Sequence, residues 1–203
     1  MRRFICLAAV AFIVGSTLTP VLARRIAPGR VMAAGLVLAA VGFALLARVD
    51  AAASVGQVVT AFVIYSLGLA PVFTLATDLV VGSAPPESAG VAAALSETGS
   101  ELGGALGIAI LGSIGSAVYR VSLSETSPPA LAAEALEAAS GTLGAAIASA
   151  QLMNPELGAA LIDASRVAFV QGMRAGALIA VAVSVGTAAL TAVQIGGARP
   201  PER

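Results

Sequence analysis

The run AAASVGQVVTAFVIYSLGLAPVFTLAT, residues 51 to 77, carries no charged side chain until Asp78 closes it. A helix crosses the hydrocarbon core of a bilayer with about 20 apolar residues, so this stretch is long enough to span and to tilt or kink around Pro71. The same pattern repeats outward in both directions. Residues 4 to 23 are uncharged between Arg3 and Arg24, and residues 31 to 47 between Arg30 and Arg48. Residues 88 to 119 carry only Glu97 and Glu101, and residues 175 to 195 follow Arg174 without a charge. Five spans are expected, at about 4–23, 31–47, 52–78, 88–119 and within 167–198. The fold class is then an all-α polytopic membrane helix bundle, with its two termini on opposite sides.

Composition agrees and narrows the function. Of 203 residues, 58% are hydrophobic and 11% charged, with mean hydropathy +0.97. A soluble domain carries about 25% charged residues, so a water-soluble enzyme or a nucleic-acid binder is excluded, and the lipid bilayer is the expected partner. Eleven Arg balance eleven Asp and Glu, Lys and His are absent, and the net charge is zero, which gives no attraction for polyanions. Cys6 is the single cysteine; without His or a second thiol the usual zinc ligand sets cannot be assembled. No metal and no enzymatic activity are expected. With no Trp and 4% aromatics, charges rather than aromatic belts must mark the interfaces.

Residues 120 to 166 hold Arg120, Glu125, Glu134, Glu137, Glu156, Asp163 and Arg166 and are too charged for hydrocarbon. Ser127 before Pro128, and Asn154 before Pro155, each read as an N-cap followed by proline at the first helical position. That predicts two Ala-rich surface helices, about 128–152 and about 155 into the last span. An alternative makes residues 138–153 a sixth span, although the charge-free window is short for it. The dense cluster Arg24 to Arg30 favours a cytoplasmic first loop, while Arg2, Arg3, Arg48, Arg120, Arg166 and Arg174 weigh the other way. Residues 1–23, ending Val21-Leu22-Ala23, also satisfy a signal-peptide template; the full spanning length of the apolar run favours a transmembrane helix.

Glu97 and Glu101 are the candidate chemistry. Four residues apart, they share one helix face. Carboxylates within a span almost always face a bundle interior or a watery cavity. Burial and mutual repulsion both favour the neutral form, so the pair is poised to exchange a proton for a cation. The alternative places the start of the span at Leu102 and leaves both glutamates on an amphipathic surface. Gly99, Gly103 and Gly107 form a stripe largely opposite the glutamates, with Gly104 nearer the acidic side; small residues at this spacing let membrane helices approach closely. Asp78 reads as an interfacial charge beside the Pro85-Pro86 turn, Arg174 as a residue snorkelling to an interface, and Tyr65, Gln57 and Phe73 as possible cavity lining.

Two stretches carry a family resemblance. Gly15 to Arg30, with Pro20, Arg24, Arg25, Gly29 and Arg30, followed by Gly35, resembles the second-half copy of the loop motif of the major facilitator superfamily. It lacks that motif's aspartate. Thr77-Asp78 through Pro85-Pro86-Glu87-Ser88-Ala89-Gly90, into Ser96-Glu97-Thr98 and Glu101-Leu102-Gly103-Gly104, is similar to the next-to-last helix of the fourteen-helix drug:proton antiporters of the quaternary-ammonium efflux type. The resemblance implies that Glu97 and Glu101 couple protons and recognise a small lipophilic cationic substrate, with Asp78, Ser96 and Tyr65 in support. It implies a cell-membrane location, no cofactor beyond a proton gradient, a cytoplasmic C-terminus at 199–203, and residues 120–166 as an extracytoplasmic helical hairpin. It further implies that the chain corresponds to the last five helices of a transporter, whose N-terminal helices are its partners and without which it would not transport. Two other readings stay open on sequence alone: a small structural or partner membrane protein, and a transporter of the same fold for a lipid or another metabolite.

Overall fold

The computed structural model describes residues 2–194. These form seven α-helices: α1 Arg2–Ala23, α2 Pro28–Leu46, α3 Val55–Gly82, α4 Ala89–Thr126, α5 Ala133–Ala139, α6 Leu143–Ala150 and α7 Pro155–Gln194, with a 3₁₀ turn at Pro86–Ser88 before α4. No strand occurs among the described residues. The chain is an all-α polytopic membrane helix bundle. Four segments are long and apolar enough to cross a membrane: α2, α3, α4 with its preceding turn, and α7. Five spans were expected; at the first, α1 runs Arg2–Ala23, of which Ala9–Ala23 is the apolar part among the described residues. The expected tail at 199–203 and the end of the last span at 195–198 lie outside the described residues.

The chain divides into two compact units. One holds α1, α2, α3, α4 up to Leu106 and α7 from Leu178; the other holds Ala47–Ala53 and Gly107–Ala177. In the first, α3 packs against both α1 and α2, and glycine sets how closely. A Cβ at Gly35 would stand 2.5 Å from Gly68 O and 2.7 Å from Pro71 Cγ, and one at Gly42 would stand 2.5 Å from Tyr65 N. Gly15 meets Ala70 and Leu67 in the same way. Removing the side chain at the crossing lets backbones touch, which in lipid replaces the missing hydrophobic drive with dispersion contacts. Pro71 lies inside α3 and deprives Leu67 O of its helical donor; that carbonyl lies 3.3 Å from a Cβ position on Gly15. Around these crossings, Val31, Met32 and Leu75 form a buried cluster. Phe43 stacks on Tyr65 at 4.9 Å, and Phe12 meets Phe73 edge to face at 6.3 Å.

The start of α3 is fixed by a capping box. Ser54 Oγ accepts from Gln57 N, and Ser54 N donates to Gln57 Oε1 at 3.0 Å, so both reciprocal bonds of the motif are made. Gln57, expected as possible cavity lining, is used here instead.

In the second unit, Tyr119, Leu123, Ala139, Ala146, Ala150, Leu161, Ala164 and Ala168 make one buried cluster. Thus α5 and α6 lie against the charged ends of α4 and α7. The predicted cap at Asn154 is present: its Oδ1 accepts from Leu157 N at 2.9 Å, and α7 runs unbroken from Pro155. The predicted helix over 128–152 is corrected. Ser127 Oγ donates back to Leu123 O and closes α4, which extends to Thr126 rather than stopping near 119. The segment then makes two short helices, broken at Ser140, Gly141 and Thr142. Thr142 Oγ1 accepts from Ala145 N at 3.1 Å and starts a new helix, a side-chain bond that competes with continuation of the old one. At eight residues, α6 is too short for the sixth span considered above.

Candidate cation and proton site

The turn ahead of α4 is stiffened by Pro85 and Pro86; Pro85 is extended, and Ser88 N donates to Pro85 O at 2.8 Å. From Ala89 the helix is continuous, which places Glu97 about 12 Å and Glu101 about 18 Å along it. One turn apart, the two side chains lie on a common face, and both are exposed. Leu95 and Leu102 on the adjoining turns are 70% and 60% exposed, so the carboxylates belong to a helix that also exposes large apolar side chains on its other faces. Among the described residues the ion pair formed is Arg166–Asp163 at 3.4 Å, and neither glutamate has a cationic partner. Two carboxylates one turn apart without a counter-charge among the described residues are acceptors open to a cationic partner. No group of three or more metal-ligating side chains occurs among the described residues.

The supporting positions are spread more widely. Ser96 is half-buried beside Glu97, and Thr98 Oγ1 donates back to Ala94 O at 2.8 Å. Asp78 is exposed, one turn before the end of α3. Tyr65 packs between Phe43 and Phe62, 5.2 Å from the latter. No hydrogen bond or ion pair among the described residues joins Asp78 or Tyr65 to the glutamates. At Gly99, Gly103, Gly104 and Gly107 an added Cβ would meet nothing within 4 Å; the close approach expected of that stripe is not made within the described residues. The loop motif forms a tight turn in which Arg25 N and Ile26 N both donate to Leu22 O. Gly29 is buried, while Arg24, Arg25 and Arg30 are exposed.

Two features escaped the sequence reading. The glycines that do pack tightly include Gly15, Gly35, Gly42 and Gly68 in one unit and Gly158 and Gly172, the latter against Gly115, in the other. The first four are scattered over α1, α2 and α3 without the four-residue repeat of the stripe on α4, so no local spacing marks them. The other is Arg174. It was read as a snorkelling residue, yet its Nε donates to Ala47 O at 2.8 Å, a carbonyl just past the last residue of α2. Carbonyls at a helix C-terminus lack in-helix partners, and a cation suits them.

Comparison with known proteins adds the context. No protein-family profile matches the chain. It is 35% identical over 171 residues to the multidrug efflux pump LfrA of Mycolicibacterium smegmatis, covering 84% of this chain and 34% of that protein. It is 37% identical over 100 residues to the tetracenomycin C resistance and export protein of Streptomyces glaucescens, covering 49% of this chain and 19% of that one. The methyl viologen resistance protein SmvA of Salmonella typhimurium is 31% identical over 150 residues, covering 74% and 30% respectively. The chain is therefore a homologue of part of these efflux and resistance proteins and a multi-pass membrane protein. It spans about a third of the length of the first of them.

Proposed function

We propose that the chain is the C-terminal part of a proton-coupled multidrug efflux transporter of the major facilitator superfamily, in the cell membrane, exporting lipophilic cations by alternating access. The observation that carries this reading is the Glu97–Glu101 pair, exposed one turn apart on α4 with no cationic partner among the described residues, in a chain whose relatives are efflux and resistance proteins. In the complete transporter the pair faces the central cavity. Ionised, it holds a lipophilic cation; protonation from the outer side neutralises it and releases the cargo, so the proton gradient drives export and no cofactor is needed. Alternating access rocks two halves about a midplane site, so this part does not transport by itself, and it catalyses no covalent chemistry. The glycine stripe on α4 packs against helices supplied by the rest of the transporter. The Arg24–Arg30 turn and the C-terminus are cytoplasmic, and α5 and α6 are outside.

The test is vesicle efflux of a lipophilic dication such as methyl viologen by the complete transporter, with an imposed pH gradient. Glu101→Gln is expected to lower gradient-driven export at least tenfold, with Glu101→Asp retaining part of it. Export with unchanged pH dependence in Glu101→Gln overturns the reading.

A further inference from the structure

The link between α2 and α3 is organised unlike a free loop. Residues 47–53 belong to the unit of Gly107–Ala177 and not to the unit of the two helices they join. Exposure alternates along them: Ala47 and Val49 are each 7% exposed, whereas Arg48, Asp50, Ala51 and Ala52 are exposed. The segment carries its own turn, in which Asp50 Oδ1 accepts from Ala52 N at 3.0 Å and Asp50 O accepts from Ala53 N at 3.1 Å. Both ends are closed without it, since α2 stops at Leu46 and the capping box of Ser54 and Gln57 starts α3. One side-chain bond reaches it from the distant chain, from Arg174 Nε to Ala47 O. No other hydrogen bond to that carbonyl occurs among the described residues.

We infer that residues 47–53 form a strap fastened to α7 by Arg174, which opens and closes as one piece while α2 and α3 keep their own packing. Ala47 and Val49 bury little apolar surface, so the charge-assisted bond is a large share of what holds the strap down. Without the guanidinium, the carbonyl of a buried residue stays unpaired, and that penalty adds to the lost bond. The contacts that register α2 against α3, at Gly35, Gly42 and Gly68, involve no residue of the strap, so its release leaves them intact. Small segments held by few contacts open locally at a free energy below that of global unfolding. Fastened, the strap makes the α2–α3 link move with α7; released, it uncouples them. The inference does not rest on the transport reading.

The test uses the purified chain in detergent, with Cys6→Ser and one reporter cysteine at a buried position: Val49→Cys in the strap or Ala40→Cys in α2. Where reclosing outpaces reaction, the rate of maleimide labelling reads the open population. Arg174→Met keeps the length of the side chain and removes the donor. It should speed labelling at position 49 about tenfold or more, the equivalent of one charge-assisted bond, and leave position 40 unchanged. Arg174→Lys retains a cation for the carbonyl and should recover part of the protection. Tyr119→Phe, which removes a different long-range bond of the same unit, should leave position 49 unchanged, which separates unfastening from a general loosening. Hydrogen exchange at the Ala52 and Ala53 amides, measured with Val49 in place, should follow the same order and covers the case in which Val49→Cys itself frees the strap. Equal labelling and exchange with and without Arg174, or acceleration at both reporters together, overturns the proposal.

Discussion

A methyl group at Gly68 would fall 2.6 Å from Gly35 O and against the Ala39 backbone, where neither neighbour has a flexible end to move. Gly68→Ala should therefore cost about 1–3 kcal/mol through overpacking, read as a lower unfolding midpoint of the chain in detergent. Gly103→Ala is expected to move the other way. Its Cβ meets nothing, and helix propensity alone favours alanine by about 0.5–1 kcal/mol. The contrast marks the limit of residue-level reading. Gly99 and Gly103 carry the four-residue repeat that suggests packing, and Gly35 and Gly68, on separate helices, do not, yet the latter are the packed ones, because spacing reports that a face is small and not what lies against it. The carboxylates were more legible: a charge inside an uncharged run stands out without any knowledge of its neighbours, and Glu97 and Glu101 are where that reading put them along α4. Arg174 was half-legible, since its cationic end was foreseen and its carbonyl partner, 127 residues away in sequence, had no local signal.

Among the elements, the hairpin of α5 and α6 depends on one long-range bond, from Tyr119 Oη to Ala139 O at 3.0 Å, between two buried residues. Tyr119→Phe keeps the ring and leaves that carbonyl unpaired, so the loss should be about 1–3 kcal/mol, seen as faster amide hydrogen exchange in residues 133–150 than in α2. Asn154→Ala removes the cap of α7 and should cost about 1 kcal/mol, with exchange quickening only in the first turn after Pro155. Helix ends were readable where proline followed a capping side chain that the new helix used, as at Asn154. They were misread at Ser127, where the same pair of residue types closes the preceding helix. The break at Ser140-Gly141-Thr142 was overlooked because the alanines on either side suggest continuity. Four of the five expected spans recur as helices long and apolar enough to cross a membrane, since the absence of charge over about 20 residues is a long-range average that single turns do not disturb.

For the molecule as a whole, the proposed topology has a direct check. In the complete transporter in intact cells, with Cys6 replaced by serine, a cysteine at Glu134 should react with a membrane-impermeant maleimide added outside, and one at Arg25 only after the cells are opened. The opposite pattern inverts the orientation. The two units also differ in what holds them together. In the unit with α5 and α6, the bonds of Tyr119 and Arg174 tie distant parts of the chain together. In the other, the hydroxyls of Thr17, Thr19, Thr60 and Thr74 all turn back onto their own helices. Among the described residues no side-chain hydrogen bond links α1, α2 and α3 to one another. Those helices are registered by shape: Gly15, Gly35, Gly42 and Gly68 each sit where a Cβ would strike the facing helix, so sliding one helix along another brings a side chain against backbone and opens gaps that forfeit dispersion contact. The seam is a keyed one without bonds, while Tyr119 and Arg174 act as rivets in theirs.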